Sequence, residues 1–221
     1  MKKIKLLIFL LLGFSLGAFA QKLNEKEKAA FDDIAFYRAR PNDYRVIVKW
    51  VVPIRYKIYG DTSQYIKKEV DSTFSQIRRL TKLDIKKTND DDEVNFLIVA
   101  GREESALNKL SEGIVNYANA YGGFYFKSNG KSEIYRAENL IFPESYRDRT
   151  PLRHSLKKNL LRSIGLLTPT ERNANSLFYS DYNDKLKIDD FDAHIISAFY
   201  QESIRPGMTK DEVDAILKAN K

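Results

Sequence analysis

The chain has no cysteine and only two histidines in 221 residues. The first absence excludes disulfides, lipid attachment at an N-terminal cysteine, and thiolate metal sites. The second leaves His154 and His194 as the whole imidazole supply. Motifs of phosphate and acyl chemistry are missing as well. There is no Gly-x-Gly-x-x-Gly or Walker loop, and no serine sits in a Gly-x-Ser-x-Gly elbow. Tyr121-Gly122-Gly123-Phe124 reads as a strand bulge rather than a phosphate cradle. Neither an internal repeat nor a low-complexity segment stands out.

The one apolar run of note opens the chain. Lys2, Lys3 and Lys5 precede an apolar stretch at residues 6–12, and Ala18-Phe19-Ala20 before Gln21 forms a small-x-small cleavage site. This pattern predicts a signal peptide over residues 1–20, cleaved after Ala20, and hence a secreted or periplasmic protein. The apolar core is too short to span a bilayer, so no membrane anchor is expected after cleavage. Removing three lysines from 37 basic residues against 30 acidic ones leaves a mature net charge of +4. No basic block or aromatic-studded basic strand accompanies that charge, so nucleic acid is not an expected partner. A mature chain of this length can be held by one hydrophobic core without disulfides.

Periodicity divides the rest into elements. Ala30, Phe31, Ile34 and Tyr37 at helical spacing predict a helix over residues 24–40, ended by Pro41. Residues 49–59 alternate, with Trp50, Val52, Ile54, Tyr56 and Ile58 on one face, which predicts a strand in which Pro53 needs an edge or a bulge. Asp61-Thr62-Ser63 can cap a helix reaching residue 80, striped by Tyr65, Ile66, Val70, Phe74, Ile77 and Leu80. A short strand at 83–86, an acidic turn at 89–93 and a buried strand at 94–100 follow. Residues 117–126 and 132–142 read as a hairpin through Ser128-Asn129-Gly130-Lys131. Helices are expected at 151–166, 188–200 and 209–219, the last opened by a capping box from Thr209 to Glu212.

Three stretches carry a resemblance. Residues 153–166, closing on Ile164-Gly165-Leu166, have the length and apolar spacing of the helix that bears HExxHxxGxxH in metzincin metalloproteases. Ser176-Leu177-Phe178-Tyr179 is similar to the Met-turn of that clan, with Phe178 in the methionine's place. Residues 186–200 resemble the closing helix of matrixins, whose aspartate falls on Asp192. The resemblance implies an α+β, zincin-like domain over residues 46–221: a mixed sheet with a helix after the first strand, a degenerate active-site helix, a Met-turn-like segment and C-terminal helices. The leading helical segment, residues 21–45, stands before it. The chain also resembles a bacterial secreted family known only as a domain of unknown function, through Lys49-Trp50-Val51-Val52-Pro53-Ile54, Ile164-Gly165-Leu166, Asn175-Ser176-Leu177-Phe178 and Arg205-Pro206-Gly207-Met208. An acidic residue is expected before Gly165 in that family, where Asn159 and Arg162 stand here.

Laying the metzincin motif on Gly165 puts Lys158 and Arg162 at two histidine positions, Asn159 at the glutamate and Thr168 at the third ligand. Zinc needs imidazole, carboxylate or thiolate donors, and its hydrolytic chemistry needs a carboxylate base. The expectation is therefore a protein without metal or other cofactor and without catalysis. Lys158, Asn159 and Arg162 are its candidate ligand cleft, beneath an edge strand that the resemblance puts at residues 117–126 to take an extended peptide, with a solvated basic face as the plainer reading. Asp192, on an apolar helix stripe, either accepts N–H bonds from the turn around Leu177 to Tyr179 or simply favours the helix dipole. The expected partner is a protein or peptide in the cell envelope or outside it. The alternative is a hydrolase built around His154 or His194.

Overall fold

A computed structural model of the protein describes residues 22–37, 45–61 and 63–219. The leader at 1–20, its cleavage point, the helix stop at Pro41 and the capping position Thr62 lie outside the described residues.

Helix α1 (Glu25–Ala35) starts on a reciprocal cap: the Asn24 side chain accepts from the Glu27 N–H, and the Glu27 carboxylate accepts from the Asn24 N–H. Its Ala30, Phe31 and Ile34 are buried, and Phe31 meets Phe199 at 6.4 Å between ring centroids, so the leading helix is part of the core. The helix is shorter than its spacing predicts. Phe36 and Tyr37 leave it as β1 (Phe36–Tyr37), which pairs antiparallel with β2 (Val46–Ile47) and buries Phe36. Aromatic residues suit a pleated, half-buried strand, and tertiary pairing outweighs the helical pattern here.

The main sheet contains β3 (Lys49–Trp50), β4 (Ile54–Gly60), β5 (Ile85–Lys87), β6 (Phe96–Ala100), β7 (Gly122–Ser128) and β8 (Glu133–Ile141). Strands β5, β4, β6 and β8 are parallel neighbours in that order, β3 runs parallel to the start of β8, and β7 is antiparallel to β8. The predicted continuous strand at 49–59 is interrupted at Val51-Val52-Pro53. Pro53 has no N–H to donate, Val52 is 42% exposed rather than buried, and the chain changes pairing partner across the gap. The hairpin of β7 and β8 turns where the sequence predicts it. Its irregularity falls at Lys127 and Ser128, not at the glycine pair.

The crossover after β4 is α2 (Gln64–Thr81), whose Ile66, Val70, Phe74 and Ile77 face the sheet with no exposure. Phe74 touches Tyr56 at 4.6 Å and Phe96 at 5.2 Å. Short helices α3 (Glu104–Leu107) and α4 (Glu112–Tyr117) cover a smaller cluster of Val99, Ala106, Ile114 and Leu140. Helix α5 (Arg149–Arg162) lies beside α2, α6 (Asp190–Phe199) packs on α1, and α7 (Lys210–Ala219) closes the chain. The fold is mixed α/β with a mostly parallel sheet and seven α-helices among the described residues.

Specific bonds set the position of α5. Glu69 of α2 takes Arg153 at 2.6 Å and Lys157 at 3.2 Å, and Lys157 is only 2% exposed. At the other end the Ser163 carbonyl accepts from the Trp50 indole at 2.9 Å, and the Ser163 hydroxyl accepts from Asn139 at 2.8 Å. Gly165 then turns the chain at φ +114, where an added Cβ would lie 2.2 Å from the Val48 carbonyl oxygen. Only glycine fits that approach at that dihedral.

Candidate functional site

The fixed helix presents one polar face. Leu152, Leu156, Leu160 and Leu161 are buried, whereas Ser155, Lys158, Asn159 and Arg162 recur at helical spacing on the half-exposed side. These four line a cleft of about 280 Å³ against the edge strand, whose other wall is Asn119, Tyr121, Gly122, Gly123 and Phe124 with Tyr146. The three residues singled out by sequence, Lys158, Asn159 and Arg162, are thus brought together at one groove. Thr168, the fourth motif position, lies elsewhere: its N–H bonds Ile34 and it lines a separate depression with Asp33 and Arg45.

Both cations in the groove are held by neutral groups. Lys158 Nζ donates to the Tyr179 carbonyl at 2.6 Å; Arg162 donates through two nitrogens to the Leu167 carbonyl at 3.0 and 2.7 Å and stacks on Phe124 at 4.4 Å. Among the described residues neither forms an ion pair. Burial pushes the Lys158 ammonium below its ordinary pKa, the Arg162 charge pushes it further, and Asp181 opposes both. Burial likewise depresses Arg162. A lysine and an arginine one turn apart, partly stripped of water and without an ion pair among the described residues, give this groove a positive charge.

The strand wall offers backbone as well. The Ala137 N–H donates to Asn95, and the Ile141 carbonyl accepts from Gly101, so these residues of β8 turn toward β6. Their partners on β7, Phe126 and Gly122, therefore turn their N–H and C=O groups away from β8, as does Phe124 between them. Gly122 spends both groups on Asn119. Phe124 and Phe126 are left with outward backbone groups on an edge to which no described strand pairs.

Below the groove runs the turn that ends beside Lys158. Asp192 on α6 is fully buried and accepts from the Ser176 hydroxyl at 2.6 Å and the Leu177 N–H at 2.9 Å; the Ser176 oxygen accepts in turn from the Phe178 N–H. Burial raises the Asp192 carboxyl to about 7 against these bonds. Phe178 fills the core, and the adjacent Tyr179 carbonyl is the one that receives Lys158. Asp192 also sits at the helix N-terminus, its N–H bonded to the Asp189 cap, so the two sequence readings of this residue describe one arrangement.

The two histidines face different elements. His154 is buried, with Nδ1 2.8 Å from the Lys185 carbonyl oxygen and its ring edge-on to Tyr182, and burial lowers its pKa. His194 meets Glu27 of α1 at 2.7 Å. No group of three or more metal-ligating side chains forms among the described residues, and no serine hydroxyl there bonds a histidine ring.

A family model described as "protein of unknown function (DUF2927)" matches residues 24–219. The chain belongs to that family. A search of curated proteins finds no match. The span of the DUF2927 model takes in α1 and α7 as well as the sheet, so every wall of the groove lies within it. Asn119, Tyr121 and Phe124 come from the edge stretch expected at residues 117–126, whereas sequence reading missed Ser155 and Tyr146. Ser155 was within reach, since it completes the polar stripe with Lys158, Asn159 and Arg162; Tyr146 arrives from a loop whose approach no local pattern records.

Proposed function

We propose that this protein is a secreted or periplasmic, non-catalytic binding module on a metal-free, metzincin-like scaffold, and that it holds an extended peptide along β7 above α5. The observation that carries this reading is the edge of β7, to which no described strand pairs, beside a groove floored by Lys158, Asn159 and Arg162. A strand laid on such an edge gains main-chain hydrogen bonds, while side-chain pockets choose the sequence. Support for the scaffold comes from the crossover helix after the first long strand, the antiparallel edge strand over α5, the required glycine at 165, and the Ser176 to Phe178 turn tied to Asp192. With an ammonium and a guanidinium where that scaffold would need imidazoles, the groove suits an anionic group better than a dication. For localisation the support is the leader pattern of residues 1–20. Among the described residues no helix is long and apolar enough to cross a membrane.

The test is selection of a peptide from a random library on the purified mature protein, followed by N-methylation of each residue in turn. Strand addition predicts loss of binding at alternate residues, because every second N–H faces the protein. Tolerance of N-methyl groups at all positions would remove the edge strand from the account.

A further inference from the structure

The groove does not end at Ser155. Tyr121, Tyr146 and Ser155 also border a second cleft of about 520 Å³, completed by Ser145, Arg147, Asp148, Pro151 and Tyr182. Three of its eight lining residues are tyrosines: Tyr121 and Tyr146 lie 5.1 Å apart between ring centroids, and Tyr182, 63% exposed, lies edge-on to His154. Lys158 and Arg162 belong to the other end, with Arg162 stacked on Phe124, while Arg147 borders this one beside Asp148. From Pro151 to Arg162 the helix axis advances about 16 Å, the length of about five residues of extended chain.

We propose that the trough reads two features of one extended peptide: a carboxylate held between Lys158 and Arg162, and an aromatic side chain seated among Tyr121, Tyr146 and Tyr182. This rests on the strand-addition reading and adds its chemistry. The cations have donors to spare, since an ammonium carries three N–H groups and a guanidinium five, and among the described residues they meet two carbonyls. A carboxylate there supplies both the missing acceptor and the missing charge. Asp148 does not compete for that role, because it caps α5 through the Thr150 N–H at the opposite end. Side chains of an extended strand face alternate sides, so the acidic and aromatic residues must share parity, two or four positions apart. The carboxylate can come from an acidic side chain or from the peptide's own C-terminus.

Fluorescence anisotropy with labelled, alanine-based heptapeptides separates these cases. One arm carries tyrosine and glutamate four positions apart with an amidated end; the others replace glutamate by glutamine, move it to odd spacing, replace tyrosine by alanine, or end in a free carboxylate at the glutamate position. The expected result is that glutamine or odd spacing weakens binding tenfold or more, and that Arg162→Gln or Lys158→Gln weakens the glutamate peptide by a like factor while leaving the glutamine peptide unchanged. Equal melting temperatures of the variants and the wild type would show that the fold is kept. If the free-carboxylate arm alone binds, the source is a C-terminus. Equal binding of glutamate and glutamine peptides overturns the anion subsite but leaves strand addition standing. No binding by any arm at about 1 mM overturns both.

Discussion

Replacing Asp192 by asparagine should remove a pH dependence of stability. The carboxyl is fully buried, and burial lifts it from 3.8 to about 7. Between those values the folded protein keeps a proton that the unfolded chain has lost, so stability falls as pH rises through this window. At about 1.4 kcal/mol per pH unit, the gap sets a ceiling of roughly 4 kcal/mol lost by pH 8 relative to pH 4. Burial outweighs the Leu177 N–H and the Ser176 hydroxyl, which favour the ionised form, and the rise to about 7 is what remains. Asparagine can accept from Leu177 and donate to the Ser176 oxygen without ionising. The variant should therefore match the wild type within about 1 kcal/mol at pH 4 and exceed it by up to about 4 kcal/mol at pH 8. Urea unfolding followed through the sole tryptophan, the buried Trp50, reads the difference at each pH. A difference that does not change with pH, or a variant weaker at pH 8, would refute the reasoning. Asp192→Ala is the control: it strands the Leu177 N–H without ionising and should lie about 1–3 kcal/mol below the asparagine variant at every pH.

Gly165→Ala should destabilise by about 3 kcal/mol or more, because its Cβ would meet the Val48 carbonyl at a positive φ; an unchanged urea midpoint would contradict the tight approach. Glu69→Leu should cost about 3–5 kcal/mol by leaving Lys157 buried without its partner, and Glu69→Leu with Lys157→Met should recover most of it. Failure of the double variant to recover would place the cost in packing rather than charge. N-terminal sequencing of protein recovered from a secreting host should begin at Gln21, and a retained leader would remove the secreted reading.

Much of the fold was legible because the long elements carry clean periods. The stripe from Ile66 to Ile77, the unbroken apolar run at 96–100 and the hairpin turn at Asn129-Gly130 each read directly into structure. The failures share a cause. Tyr37 and Val52 fit a local period, but pairing with β2 and the missing donor of Pro53 decided their places. Within the groove, Lys158, Asn159 and Arg162 were legible because one helix carries them at fixed spacing. Tyr146 was not, because the loop after the hairpin brings it against Tyr121. The separation of His154 from His194 likewise depends on tertiary packing, with one facing the loop at Lys185 and the other facing α1.

Amide hydrogen exchange of β7 with a saturating selected peptide tests the central claim most directly. Gly123 and Tyr125 point their backbone groups at β8 and should be protected with or without peptide, whereas Phe124 and Phe126 should gain protection only when peptide is bound. Unchanged exchange at Phe124 and Phe126 under saturating peptide would contradict binding by strand addition.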